Sequence, residues 1–296
     1  MSRTLPTTVI AAALFAAACA PALNTRAAAF SSGRITITTV GSGPDVVLIP
    51  GLASSAEQVW SGTVAAVPGY RYHLVQVSGF AGFPAGDNAR EGRVVEAIAE
   101  EIARYIREQR LKRPAVVGMS MGGTLAMLVA TRHPGAVSKL MVVDMVPFGG
   151  ALLGETDPEG ARPRAERSRE RMLSESDEAR RRGLTAQVAE MVRTDSLRAR
   201  VTELGLASDR GVSARSFHDV MTIDLRREMA RVDVPVTVLY VHAPLIPLSA
   251  EATDSLYREA YAHAPRVTLK RIDDAYHFIM LDQPRVFAAE VRAFLR

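Results

Sequence analysis

Short, largely apolar runs set between helical stretches leave this chain few folds. Val46 to Ile49, Tyr72 to Val77, Ala115 to Gly118, Lys139 to Val143, Val234 to Val241 and Val267 to Ile272 all read as strands, preceded by the β-branched run Arg34 to Val40. A strand that is apolar on both sides must be covered on both sides, which is the condition of a buried parallel sheet. Between these runs, Arg90 to Gln109 sets Val94, Val95, Ile98, Ile102 and Ile106 on one helical face, with Glu96, Glu100 and Arg104 opposite. A helix is predicted from about Ser120 to Arg132, stopped by Pro134-Gly135, and two more over Ala250 to His263 and Gln283 to Leu295. The fold class is therefore α/β, a mostly parallel central sheet with helices on both faces.

The alternation fails once. From Phe148 to about Arg231 no strand-like run occurs, only charged helical sequence such as Arg164 to Arg171. The simplest account is one domain with an insertion: residues 30–147 and 232–296 form the core, and 148–231 form a helical cap or lid. No internal repeat at solenoid periods is visible. Within the insertion, Met172, Leu173, Leu184, Val188, Met191, Val192 and Leu197 supply apolar positions among the charges.

Composition removes several functions. Hydrophobic residues make up 48% and charged residues 23%, values of an ordinary globular chain and not of a disordered or coiled-coil one. The formal charge is +4, and nearly all the basic residues are Arg, with Lys only at Lys112, Lys139 and Lys270. No basic run is interleaved with stacking aromatics, so no nucleic-acid partner is expected. Cys19 is the one cysteine, which rules out a disulfide framework. The six histidines form neither an HxxxH nor an HExxH pair, so no metal is expected.

Residues 1–29 are read as a targeting segment. Arg3 precedes the apolar run Val9 to Ala18, which is too short to span a membrane: ten helical residues rise about 15 Å, half the hydrocarbon core. Ala27-Ala28-Ala29 offers an A-x-A cleavage site. Ala16-Ala17-Ala18-Cys19 resembles a degenerate lipobox, with Ala16 where Leu is usual, in which case Cys19 would carry a lipid anchor. Both versions imply an exported protein, periplasmic or secreted, or a membrane-anchored lipoprotein.

The chemistry points to one serine. Gly118-Met119-Ser120-Met121-Gly122 is a G-x-S-x-G pattern placed between an apolar strand and a helix. A sharp turn there lifts the serine Oγ above the sheet edge, and the helix N-terminus favours developing negative charge. Leu48 to Ser54 follows an earlier core strand, where a backbone N–H can face an oxyanion. Asp273 to Pro284 follows the last strand and puts His277 on a loop before the final helix. Met119 and Met121 are expected to line the pocket, and Trp60 either lines its mouth or anchors a helix.

On these motifs the chain resembles the α/β-hydrolase superfamily across residues 34–296. The resemblance implies a serine hydrolase with Ser120 as nucleophile, His277 as general base, and the N–H groups of Leu52 and Met121 as oxyanion hole. Most relatives carry His where Pro50 stands, and many carry Asp where Ser78 stands. The acid departs more seriously. Where the superfamily usually places it, after the strand ending at Val241, this chain has Ala243. A triad histidine without a carboxylate loses tautomer control and imidazolium stabilisation. Asp144, at the end of the strand after the nucleophile helix, is the candidate replacement, as in some lipase-like members; Asp273 and Asp274 are the alternatives. The expected function is cleavage of a small-molecule carboxylic ester, or a related lactone, thioester or amide, without cofactor or metal. The alternative is a non-catalytic binding protein of the same fold that has lost its acid.

Overall fold

The β-branched and aliphatic runs pair into one sheet. The computed structural model describes residues 30–296; the targeting segment and Cys19 lie outside the described residues. Among the described residues the strands, in chain order, are β1 (Ile35–Gly41), β2 (Asp45–Ile49), β3 (Arg71–Val77), β4 (Ala115–Met119), β5 (Lys139–Val143), β6 (Val236–Tyr240) and β7 (Val267–Arg271). They lie side by side as β1-β3-β2-β4-β5-β6-β7. β1 is antiparallel to β3, and every other pairing is parallel.

Helices connect them: α1 (Ala56–Ala66), α2 (Val94–Glu108), α3 (Met121–Arg132), α4 (Pro158–Ser174), α5 (Asp177–Met191), α6 (Asp195–Leu206), α7 (Arg210–Thr222), α8 (Ala250–Ala260), the single turn α9 (Ile279–Asp282) and α10 (Pro284–Leu295). Local sequence sets several starts. Ser55, Ser176, Asp209 and Ser249 each accept a backbone N–H of the first turn of α1, α5, α7 and α8. Asp157 does the same for α4, with Pro158 at the first helical position, where a missing N–H costs nothing.

Alternation along the central strands splits the core in two. Val47, Ile49, Val116 and Val142 pack with α2, α3 and α8; Val46, Leu48, Val117 and Val143 pack with α1, α9 and α10. Both faces of the strand sequences are thereby buried, as their composition requires. Trp60 is fully buried and lies against Phe287, ring centroids 6.2 Å apart, so it anchors α1 to α10 and does not line a pocket mouth. Met119 and Met121, expected at the pocket wall, are buried on opposite faces of the sheet. The correction has a simple cause: the elbow points only Ser120 outward, and its two neighbours turn into the two cores.

The segment between β5 and β6 holds the helices α4–α7. Its ends come together where Phe148 and Asp224 form an isolated antiparallel bridge. From there the segment reaches back to the C-terminal edge of the parallel strands. Ser208 accepts the Ala81 N–H at 2.8 Å, and the Asp209 N–H bonds the Gly79 carbonyl at 2.7 Å, in the turn after β3.

Candidate active site

Parallel register brings four strand ends together. Ile49 pairs with Gly118, Met119 with Val143, and Val143 with Leu239. The residues that leave β4 and β5, Ser120 and Asp144, therefore emerge side by side at the edge where such sheets gather ligands.

Ser120 has φ 53° and ψ −123°, a conformation that a residue with a Cβ rarely adopts and that costs about 1–3 kcal/mol. Its surroundings hold it there. The Ser120 N–H bonds the Val143 carbonyl at 2.9 Å, and its own carbonyl accepts the N–H groups of Gly123 at 2.7 Å and Thr124 at 3.2 Å. Gly122 is required by close approach: a Cβ on it would stand 2.3 Å from the Ile49 carbonyl oxygen and 2.6 Å from that of Pro50. This contact presses the loop after β2 onto the start of α3. A Cβ on Gly51 would lie 3.3 Å from the Ser120 Cβ, so the loop carrying Leu52 runs directly beside the serine. Ala53, with φ 54°, turns that loop away again. Among the described residues no hydrogen bond takes the N–H of Leu52, and none outside helix α3 takes that of Met121.

Asp144 follows β5 with φ 51°, a left-handed conformation that Asp tolerates better than most residues. It is 6% exposed and His277 is 7% exposed. Their side chains meet, with His277 Nδ1 2.6 Å from Asp144 Oδ2. The other carboxylate oxygen is also occupied: Oδ1 accepts the Val241 N–H at 3.2 Å and the Tyr257 hydroxyl at 3.0 Å. A buried carboxylate needs such partners, because leaving it bare is expensive. Burial first, and then the charge of Asp144, push the Tyr257 phenol well above its ordinary range, so it remains a donor. Its ring stacks on Tyr240 at 4.2 Å, which fixes the direction of that hydroxyl. The structure brings Asp144 and His277 into a bond; among the described residues none joins His277 to Ser120. Nucleophile–base bonds are often long before substrate binds.

The alternative acids face elsewhere. Asp273 and Asp274 are 79% and 70% exposed at the side chain and pair with Arg271 and Arg193. Ala243 lies in the apolar cluster with Val241, Ile272, Ala275 and Phe278. Ser78 offers its carbonyl to Asn88, a structural bond in the turn after β3. Tyr257 has no counterpart in the sequence reading. On α8 it is one apolar-face residue among others, and its chemistry exists only because α8 packs over the ends of β5 and β6.

This arrangement, a strained serine at a strand-to-helix elbow with a buried pair made of Asp144 after β5 and His277 on the loop after β7, belongs to a known class. The chain is a member of the alpha/beta hydrolase family, whose model matches residues 46–290, and it is an enzyme of the serine-hydrolase type. Among its relatives is the pimeloyl-[acyl-carrier protein] methyl ester esterase of Aeromonas hydrophila, 26% identical over 267 residues, covering 88% of this chain and 99% of that protein. The enzyme of the same name from Serratia marcescens is 27% identical, with 87% and 96% covered. Among solved structures, the enol-lactonase of Burkholderia xenovorans shares the fold with a TM-score of 0.70 at 19% identity, covering 88% of this chain and 96% of that one. These relatives correct the expected export. They are named for a substrate tethered to acyl-carrier protein, not for an exported or lipid-anchored protein, and the periplasmic or secreted placement is given up.

Proposed function

We propose that the protein hydrolyses a carboxylic ester through Ser120, His277 and Asp144. The observation that carries this reading is the 2.6 Å bond between His277 Nδ1 and Asp144 Oδ2 beside the Ser120 elbow. With Nδ1–H held by the carboxylate, the lone pair of the imidazole is at Nε2, where it takes the Ser120 proton as Oγ attacks the carbonyl carbon. The N–H groups of Leu52 and Met121 receive the oxyanion of the tetrahedral intermediate. Collapse expels the alcohol, which takes the proton from His277 Nε2, and leaves an acyl group on Ser120. Water then gives its proton to His277 as its oxygen attacks the acyl carbon, and Ser120 departs with the proton returned.

The methyl esterase names of the relatives support an ester as substrate, with lactones and thioesters as chemical neighbours. Residues 148–231 act in this reading as a cap. Their helices touch the loops of Ala53, Gly79 and Ala81 on one side of Ser120 and the His277 loop on the other, which supports a role in admitting the acyl chain. The Asp144–His277 pair speaks for catalysis over a binding protein with lost chemistry, because a binder has no use for a buried carboxylate aimed at an imidazole. Two measurements test the reading. A fluorophosphonate should label the protein at Ser120 and not the Ser120→Ala variant. An ester panel graded by acyl length, including a methyl-ester thioester on acyl-carrier protein, should show hydrolysis that Ser120→Ala abolishes. Absence of both labelling and turnover would overturn it.

A further inference from the structure

We propose that Asp282 is a positioning residue that ties the junction of α5 and α6 to the His277 loop, so that the seating of the inserted helices sets the place of the imidazole. The proposal rests on the hydrolase reading for its effect on turnover, but the tie itself is geometric. Asp282 ends α9, in the same loop-and-turn segment as His277. Its Oδ1 accepts the Thr194 N–H and the Thr194 hydroxyl, both at 2.9 Å. Its Oδ2 accepts the Arg193 N–H at 3.0 Å and the Tyr276 N–H at 2.9 Å. One carboxylate thus gathers four donors, three from a junction 88–89 residues upstream and one from the residue immediately before His277.

The residue after His277 is held by the same junction. The Phe278 N–H donates to the Met191 carbonyl at 3.2 Å, at the last residue of α5. His277 is therefore bracketed: both neighbours in sequence are bonded, directly or through Asp282, to 191–194. Two outer bonds continue the tie, the Arg193–Asp274 pair at 2.5 Å and the Gln283 side-chain amide on the Asp274 carbonyl at 3.0 Å. The chain gives up a local bond to make this connection. Thr194 is the N-cap of α6 and caps nothing with its side chain, because its hydroxyl is turned to Asp282. A carboxylate is the fitting acceptor, since three backbone N–H groups that can only donate, and one hydroxyl, point at its two oxygens. If the inserted helices shift to admit a substrate, these bonds loosen and His277 loses its support; when they seat, the imidazole returns to Asp144.

The test compares Asp282→Asn, Asp282→Glu and Thr194→Val with the full-length wild type, using p-nitrophenyl butyrate turnover and the downfield proton resonance of His277 Nδ1–H against Asp144. Asparagine keeps the shape but, in either orientation, sets an NH₂ against at least one backbone N–H that can only donate. It should lower kcat about 10- to 100-fold with KM nearly unchanged, and weaken or broaden the His277 resonance. Glutamate keeps the charge and should recover part of both. Thr194→Val removes one donor and gives a milder version if Asp282→Asn folds poorly. A structural role alone predicts lower thermal stability with kcat per folded molecule and the resonance unchanged, and that result overturns the proposal. If the wild type neither turns over esters nor reacts with fluorophosphonate, the hydrolase reading fails while the resonance still reports whether Asp282 places His277.

Discussion

Replacing Asp144 by Asn probes the centre of the proposed chemistry, and the structure fixes which way the amide must lie. Oδ1 receives two donors, the Val241 N–H and the Tyr257 hydroxyl, while Oδ2 faces His277 Nδ1. The oxygen of the introduced amide will therefore occupy the Oδ1 position, because an NH₂ there would confront two donors. That leaves the NH₂ pointing at His277 Nδ1 from the place of Oδ2, 2.6 Å away in the native pair. The imidazole can satisfy it only by presenting its lone pair at Nδ1 and carrying its proton on Nε2, the nitrogen that accepts the proton of Ser120 in the proposed mechanism. Isosteric replacement thus selects the wrong tautomer and removes the charge that stabilises the imidazolium. In the serine-protease triad such a change costs about 10⁴ in kcat. The expected loss here is about 10³ to 10⁴, equivalent to about 4–5.5 kcal/mol of barrier. KM should change little, since neither group binds the ester in its ground state. The assay is steady-state hydrolysis of a chromogenic ester, beside a thermal melt that counts folded molecules. Activity within about tenfold of wild type in a folded Asp144→Asn protein would refute both the tautomer argument and the role of Asp144.

Three further outcomes follow from the same geometry. Tyr257→Phe keeps the ring on Tyr240 but removes one charge-assisted bond to Asp144, and because Val241 still serves Oδ1 the fall in kcat should be only about 3- to 10-fold, measured beside Asp144→Asn. Gly122→Ala drives a Cβ into the Ile49 and Pro50 carbonyls, so it should lower stability by about 1–3 kcal/mol or prevent folding, read from urea unfolding; an unchanged midpoint would show that the loop yields. His73 gives the pH dependence. Burial lowers its pKa from 6.5, against the opposing pull of Asp45, with Tyr105, Thr39 and Arg71 as its other polar neighbours. The native state holds this proton less tightly than the unfolded chain, so its contribution to stability is full above 6.5 and is lost as pH falls toward the lowered value. Unfolding midpoints at about pH 5 and pH 8 should differ less in His73→Gln than in wild type.

What the chain reveals by itself is whatever is written locally. The strands announce themselves because Val46 to Ile49 and Lys139 to Val143 must be buried on both faces. Ser120 is legible because an elbow needs a strand, a serine among glycines and a helix in one continuous stretch. His277 is legible because it follows the last strand at the right edge. The boundaries differ from expectation by a residue or two, as at Val236–Tyr240 for the run read from Val234 to Val241. Residues whose meaning depends on a neighbour far away in sequence are not readable in this way. Asp144 and the two exposed aspartates at 273 and 274 look alike along the chain. Only the register of β5 against β6, and the packing of α8 that delivers the Tyr257 hydroxyl, put one carboxylate against the imidazole and leave the others in water. Met119, Met121 and Trp60 make the same point from the apolar side. Hydrophobic character says that a side chain will be covered, but whether core or pocket covers it depends on which way the turned backbone points it. Sequence writes the periods and the turns; the crossing of distant segments at one sheet edge decides which of the available groups can act together.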